Sequence, residues 1–98
     1  MIMRMLMVVY DAGFDEEVLE TLKKAGIKGY TKWTRVLGDG EKSDPKMDDG
    51  IWPGYNHTLL MAVKEEEAPV IQKAVTRIHK FMGEKGIRVY SWPVVQVV

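Results

Sequence analysis

Several groups of residues in this chain have types that could do chemistry. Gly38 and Gly40 flank Asp39, and closely spaced glycines can turn backbone amides toward an anion. Lys32, Arg35, Lys85 and Arg88 would supply charge to such an anion in a cleft between subunits. The pair lacks the lysine and hydroxyl residue that follow the glycine of a P-loop, and it lacks the glycine triplet of a dinucleotide fingerprint. Turn glycines without a ligand give the same pattern. His57 and His79 are the only histidines, and imidazoles could bind zinc, copper or nickel with help from Asp48, Asp49 or Asn56. Nothing in their spacing brings the two together.

Catalysis has weaker support. There is no cysteine, so neither a thiol nucleophile nor a thiolate metal centre exists. Ser43 and Ser91 have no histidine and carboxylate arranged around them. Asp48 and Asp49 are adjacent in a polar stretch, which speaks for hydration rather than for acid–base work. The expectation is a protein that is not an enzyme. Trp33, Trp52 and Trp92, with Tyr30, Tyr55 and Tyr90, form an aromatic set suited to an interface or to covering a ligand.

The elements that must position these groups follow from periodicity. Met3 to Tyr10 reads as a strand, and its continuous run Met5-Leu6-Met7-Val8-Val9 suits a strand covered on both faces. Asp11 to Phe14 turns the chain, with Asp11 or Asp15 as cap. Phe14, Val18, Leu19, Leu22 and Ala25 then recur at helical spacing, with acids early, lysines late and Gly26 as the stop. A second strand is expected over Ile27 to Leu37 and a third over Tyr55 to Val63. Between them, Gly38, Gly40, Pro45, Gly50, Pro53 and Gly54 impose a loop over 38–54, long enough to be functional or disordered.

Glu65, Glu66 and Glu67 are expected to form the first turn of a second helix, with Pro69 near its start. Val70, Ile71, Ala74, Val75, Ile78, Phe81 and Met82 form its apolar face, and Gly83 and Gly86 end it. Ile87 to Trp92 gives a fourth strand. Pro93 is expected to interrupt it, leaving Val94, Val95, Val97 and Val98 as a short extra terminal strand. The order is that of a single α+β domain over 1–98, a ferredoxin-like βαββαβ sandwich with both helices on one sheet face. The other face, with Met5 or Met7, Trp33 and Leu60, would then bury against copies of itself, in a homotrimer or a dimer, between which the element order does not choose.

Composition narrows the class further. The 98 residues suffice for one domain, and 14 basic residues balance 14 acidic ones, which argues against a nucleic-acid partner. The loop carries five acids from Asp39 to Asp49 against Lys42 and Lys46, so it would repel a polyanion rather than attract one. The apolar run at the amino terminus is too short to span a bilayer and has no small-residue cleavage region, so a soluble cytoplasmic protein is expected.

The order of elements resembles the PII-like superfamily of trimeric signalling proteins of nitrogen regulation, over essentially the whole chain. The stretch from Phe14 to Thr31 is similar to that family's first helix and to the Ala25-Gly26-Ile27, Gly29 and Thr31 pattern leading into its second strand. Gly38-Asp39-Gly40 stands where the family's effector-binding T-loop begins, although here the loop is short, acidic and tyrosine-free from Leu37 to Gly54. The family holds nucleotide phosphates with a glycine and lysine after the second helix, which implies a role for Gly83, Lys85, Gly86 and Arg88. It also uses basic residues after the last strand, where this chain has only apolar residues and Gln96. The resemblance implies a small-molecule-responsive regulator whose cofactor is not defined. A nucleotide or other anion would sit at the subunit boundary, and a protein partner would meet loop 38–54. Trimeric divalent-cation tolerance proteins share the fold, so a metal-linked role is a second implication, and an interaction module without ligand is a third.

Overall fold

A computed structural model of the chain describes residues 2–41, 43–83 and 86–98. Four strands, β1 (Ile2–Asp11), β2 (Thr31–Val36), β3 (Asn56–Lys64) and β4 (Ile87–Val95), and two helices, α1 (Asp15–Lys24) and α2 (Ala68–Met82), follow in the order β1-α1-β2-β3-α2-β4. The sheet order is β2-β3-β1-β4, with every neighbouring pair antiparallel. This is the ferredoxin-like arrangement expected from the sequence.

Alternation along β1 decides what each face of the sheet does. Leu6, Val8 and Tyr10 are buried with Leu59, Met61 and Val63 of β3 and Ile87 of β4. Val18 and Leu22 of α1 and Ile71, Val75 and Ile78 of α2 close over them in one core. The register puts Met5 opposite Ala62 and Trp92, and Met7 opposite Leu60 and Tyr90, on the other face. No described element covers that face, and it leaves Trp33, Tyr90 and Trp92 exposed. The continuous apolar run of β1 therefore meets helices on one side only.

Three boundaries differ from the sequence reading by more than one residue. β2 begins at Thr31 because Ile27 belongs to the end of α1: its amide donates to the Leu22 carbonyl (3.0 Å) and the Gly26 amide to that of Lys23 (3.1 Å). With Gly26 at φ 104, that pair of bonds is the Schellman closure of a helix. Glu65, Glu66 and Glu67 form a turn ahead of α2, in which the Glu67 carboxylate accepts from the Lys64 amide, and the helix starts at Ala68 with Pro69 in its first turn. Pro93 does not interrupt the last strand. It lies opposite Arg4 inside a continuous ladder that ends with Val95 opposite Ile2, so the terminal valines Val94 and Val95 extend β4. An edge strand accepts proline because only one of its sides must be paired.

Candidate functional site

The loop between β2 and β3 is built in two tiers. Gly38 and Lys46 exchange both backbone hydrogen bonds (3.0 and 2.7 Å), which closes the outer tier as a small ring. In the inner tier the Met47 amide donates to the Trp52 carbonyl and the Asp48 amide to the Gly54 carbonyl, both at 3.0 Å. The Asp49 carboxylate accepts from the amides of Ile51 (3.0 Å) and Trp52 (2.6 Å), a local turn of the kind aspartate favours. The acid-rich stretch is thus shaped by its own backbone.

Beneath the outer tier lies a cleft of about 560 Å³, bounded by Val9 and Tyr10 of β1, Gly38 to Glu41, Ser43, Asp44, Lys46, Asn56, and Gly86 to Arg88 with Tyr90. The missing side chain at Gly38 matters here, since a Cβ would stand 3.0 Å from the Asn56 amide nitrogen. A Cβ on Gly86 would meet the end of the Met82 side chain at 2.5 Å and its Cβ at 3.2 Å, so that side chain would have to shift to admit one.

The residues singled out by sequence divide between the cleft and its roots. Gly38, Gly40, Gly86 and Arg88 line the cleft. The Arg88 guanidinium is turned aside, with Nη1 donating to the Ile87 carbonyl (2.9 Å) and standing 3.4 Å from His79 Nε2. Lys85 lies outside the described residues. Lys32 faces α1, where its amine bonds Asp15 at 2.8 Å. Arg35 occupies a bulge of β2, between the Trp33–Thr58 and Val36–Asn56 pairs. Its amide donates to His57 Nδ1 (3.3 Å), and its guanidinium lies 5.0 Å over the Tyr55 ring.

The histidines are held by different partners. The His57 ring meets Tyr10 edge-on (centroids 6.0 Å) and Tyr55 (5.6 Å), while His79 sits on α2 beside Arg88. Among the described residues no group of three or more histidine, aspartate or glutamate side chains is arranged to hold a metal ion.

Two groups escaped sequence reasoning. Lys46 enters the cleft, its side chain only 18% exposed, and its Nζ lies 3.7 Å from Asp11 Oδ2. The sequence signal was there, a cation within a run of acids, but it reads as ordinary loop charge. The second is the contact of Tyr10 with Asp15, whose Oδ1 accepts from the tyrosine hydroxyl at 2.5 Å. Burial, followed by the Asp15 hydrogen bond and charge and by the charge of Tyr30, pushes the Tyr10 hydroxyl pKa well above its ordinary range. Burial alone would raise the Asp15 carboxyl. Hydrogen bonds from Lys32 and Tyr10 and the charges of Lys32 and His57 outweigh it and hold that pKa below the usual value.

A βαββαβ domain with a bare sheet face and a glycine-lined cleft under a long β2–β3 loop has the architecture of a PII-like signalling protein. The chain belongs to the nitrogen regulatory protein P-II family, whose model matches residues 3–98. No curated protein matches the chain. Among solved structures, it is similar to CPII of Thiomonas intermedia, a form bound to ADP and bicarbonate, with a TM-score of 0.73, 20% identity, and coverage of 96% of this chain and 89% of that one. A PII-like signalling protein of Thermus thermophilus matches with a TM-score of 0.64 and 23% identity, over 95% of this chain and 87% of that one. A DUF3240 family protein of Shewanella baltica gives 0.69 at 10% identity, over 98% and 93%. At such identities the structures establish a shared fold. No described helix is long and apolar enough to cross a membrane.

Proposed function

We propose that this chain is a regulatory protein that responds to a small anionic ligand, an adenine nucleotide in the first instance, bound in the cleft beneath the outer tier of the loop. The observation that carries the reading is the convergence of Gly38, Gly40, Gly86, Arg88 and Lys46 on one cleft of about 560 Å³. That volume lies within the range of small-molecule sites. Glycines at the cleft wall put no side chain between the backbone and an entering phosphate, and the cations Lys46 and Arg88 are among the lining residues. The nucleotide-bound state of the structurally similar CPII supports the same ligand class.

In this reading the chain is cytoplasmic and acts by binding rather than by catalysis, in nitrogen regulation or a related response. The open sheet face packs against identical subunits, as a trimer, and places the cleft at their boundary. Ligand at the cleft alters the loop over 38–54, which is the surface offered to a protein partner. Isothermal titration calorimetry of the purified protein with ATP, ADP and AMP tests the ligand. Saturable heat with at least one of them is expected, whereas neither heat nor thermal protection at millimolar nucleotide would end the nucleotide reading.

A further inference from the structure

We infer that, among the described cations, Lys46 is the one that grips the ligand's anionic group, and that Asp11 is its resident counter-charge, whose place at the amine the ligand takes. This rests on the ligand-binding reading above and adds what sets affinity at the site. Three of the cations expected there are engaged elsewhere: Lys32 with Asp15 at 2.8 Å, Arg35 with Asp48 at 3.2 Å, and Arg88 with the Ile87 carbonyl at 2.9 Å. Residues 94–98 contribute no charged side chain.

Lys46 is placed differently. Its backbone is pinned to Gly38 by two hydrogen bonds, so the loop delivers its side chain to the cleft in a defined position. The side chain is largely enclosed, yet its amine reaches Asp11 Oδ2 only at 3.7 Å. A charge-assisted hydrogen bond is normally about 2.7–2.9 Å long. The pair is therefore an ion pair without a well-made hydrogen bond, and a phosphate oxygen entering the cleft offers the amine a better one. Asp11 has a second duty, since its Oδ1 accepts from the Gly13 amide at 2.8 Å and caps the 3-10 turn over Ala12–Phe14. It stays where it is when Lys46 turns to the ligand, and from there its charge opposes an incoming anion.

Calorimetry with ADP and with inorganic pyrophosphate, on the wild-type chain and on the Lys46→Met and Asp11→Asn variants, tests this. Loss of a hydrogen bond to a charged group should weaken binding about tenfold or more in Lys46→Met. Asp11→Asn keeps an oxygen for the Gly13 amide and removes the competing charge, so both probes should bind several-fold more tightly. It also reads the handover without touching Lys46, which protects the test against a folding defect in Lys46→Met. Wild-type binding that is unchanged in a folded Lys46→Met protein, or unchanged or weaker in Asp11→Asn, would overturn the inference. Pyrophosphate binding of the expected pattern without ADP binding would leave the inference standing and remove the nucleotide reading. Binding of neither probe removes both.

Discussion

Arg35 and Asp48 face each other across the root of the β2–β3 loop, with Arg35 Nη1 donating to Asp48 Oδ2 at 3.2 Å. They are also the two non-glycine residues with left-handed backbones among those described, at φ 56 and φ 54. A side chain in that region is strained by about 1–2 kcal/mol. The ion pair, the Tyr55 ring under the guanidinium and the His57 nitrogen that receives the Arg35 amide together hold this strained pair in place. Such a clasp links the strand before the loop, the loop itself and the residue that leads into β3.

Opening the clasp should loosen the inner tier without unfolding the domain. In Arg35→Ala the exposed ion pair is lost, which changes global stability by about 0.2–1 kcal/mol. The amides of Met47 and Asp48, bonded to the Trp52 and Gly54 carbonyls, should nevertheless exchange faster with solvent deuterium. Exchange at these two amides equal to that of the wild type would show that the clasp does not restrain the tier.

The Tyr10 and Asp15 pair predicts how stability depends on pH. Asp15 has a folded pKa below its ordinary value of 3.8, so its contribution is present above that value and is lost as pH falls through the folded one. Tyr10 has a folded pKa above its ordinary 10.0, so its contribution is present below that value and is lost as pH rises beyond it. Urea unfolding followed from acid to alkaline pH should show stability declining at both limits. Asp15→Asn should lower the plateau and flatten the acid limb, and an acid limb as steep as in the wild type would remove Asp15 from the account.

Assembly through the bare sheet face gives a direct test of the proposed subunit boundary. Light scattering should return an integer multiple of the chain mass, and Trp92→Glu, which sets a charge among Met5, Tyr90 and their neighbours, should shift the protein toward the single chain. Far-UV circular dichroism should remain that of a folded domain. A folded wild-type chain that stays single at micromolar concentration would leave the cleft without the neighbouring subunit assigned to it.

Much of the architecture was legible because period and punctuation agree along the chain. The apolar run of β1, the apolar stripe of α2 and the stops at Gly26 and Gly83 each indicate the local structure found. Errors arose where one residue serves two elements. Ile27 looks like the start of a strand but donates the bond that closes α1, and Pro93 looks like a break but lies on an edge that tolerates it. The site was only partly readable. Glycines mark the cleft wall by themselves, whereas the direction of a lysine depends on backbone bonds across a loop, such as those joining Lys46 to Gly38. For that reason Lys32 and Arg35 look like equal candidates in the sequence and take up other partners in the fold.

The proline that β4 carries in mid-strand also bears on solubility. The sheet ends in a row of largely apolar side chains from Val89 to Val95 with one flank unpaired, a surface on which stray strands would grow. Pro93 has no amide proton to donate to such a strand, and its ring resists the flat stacking that fibrils require. Replacing it with a β-branched residue would make the ladder more regular and the protein more prone to precipitate.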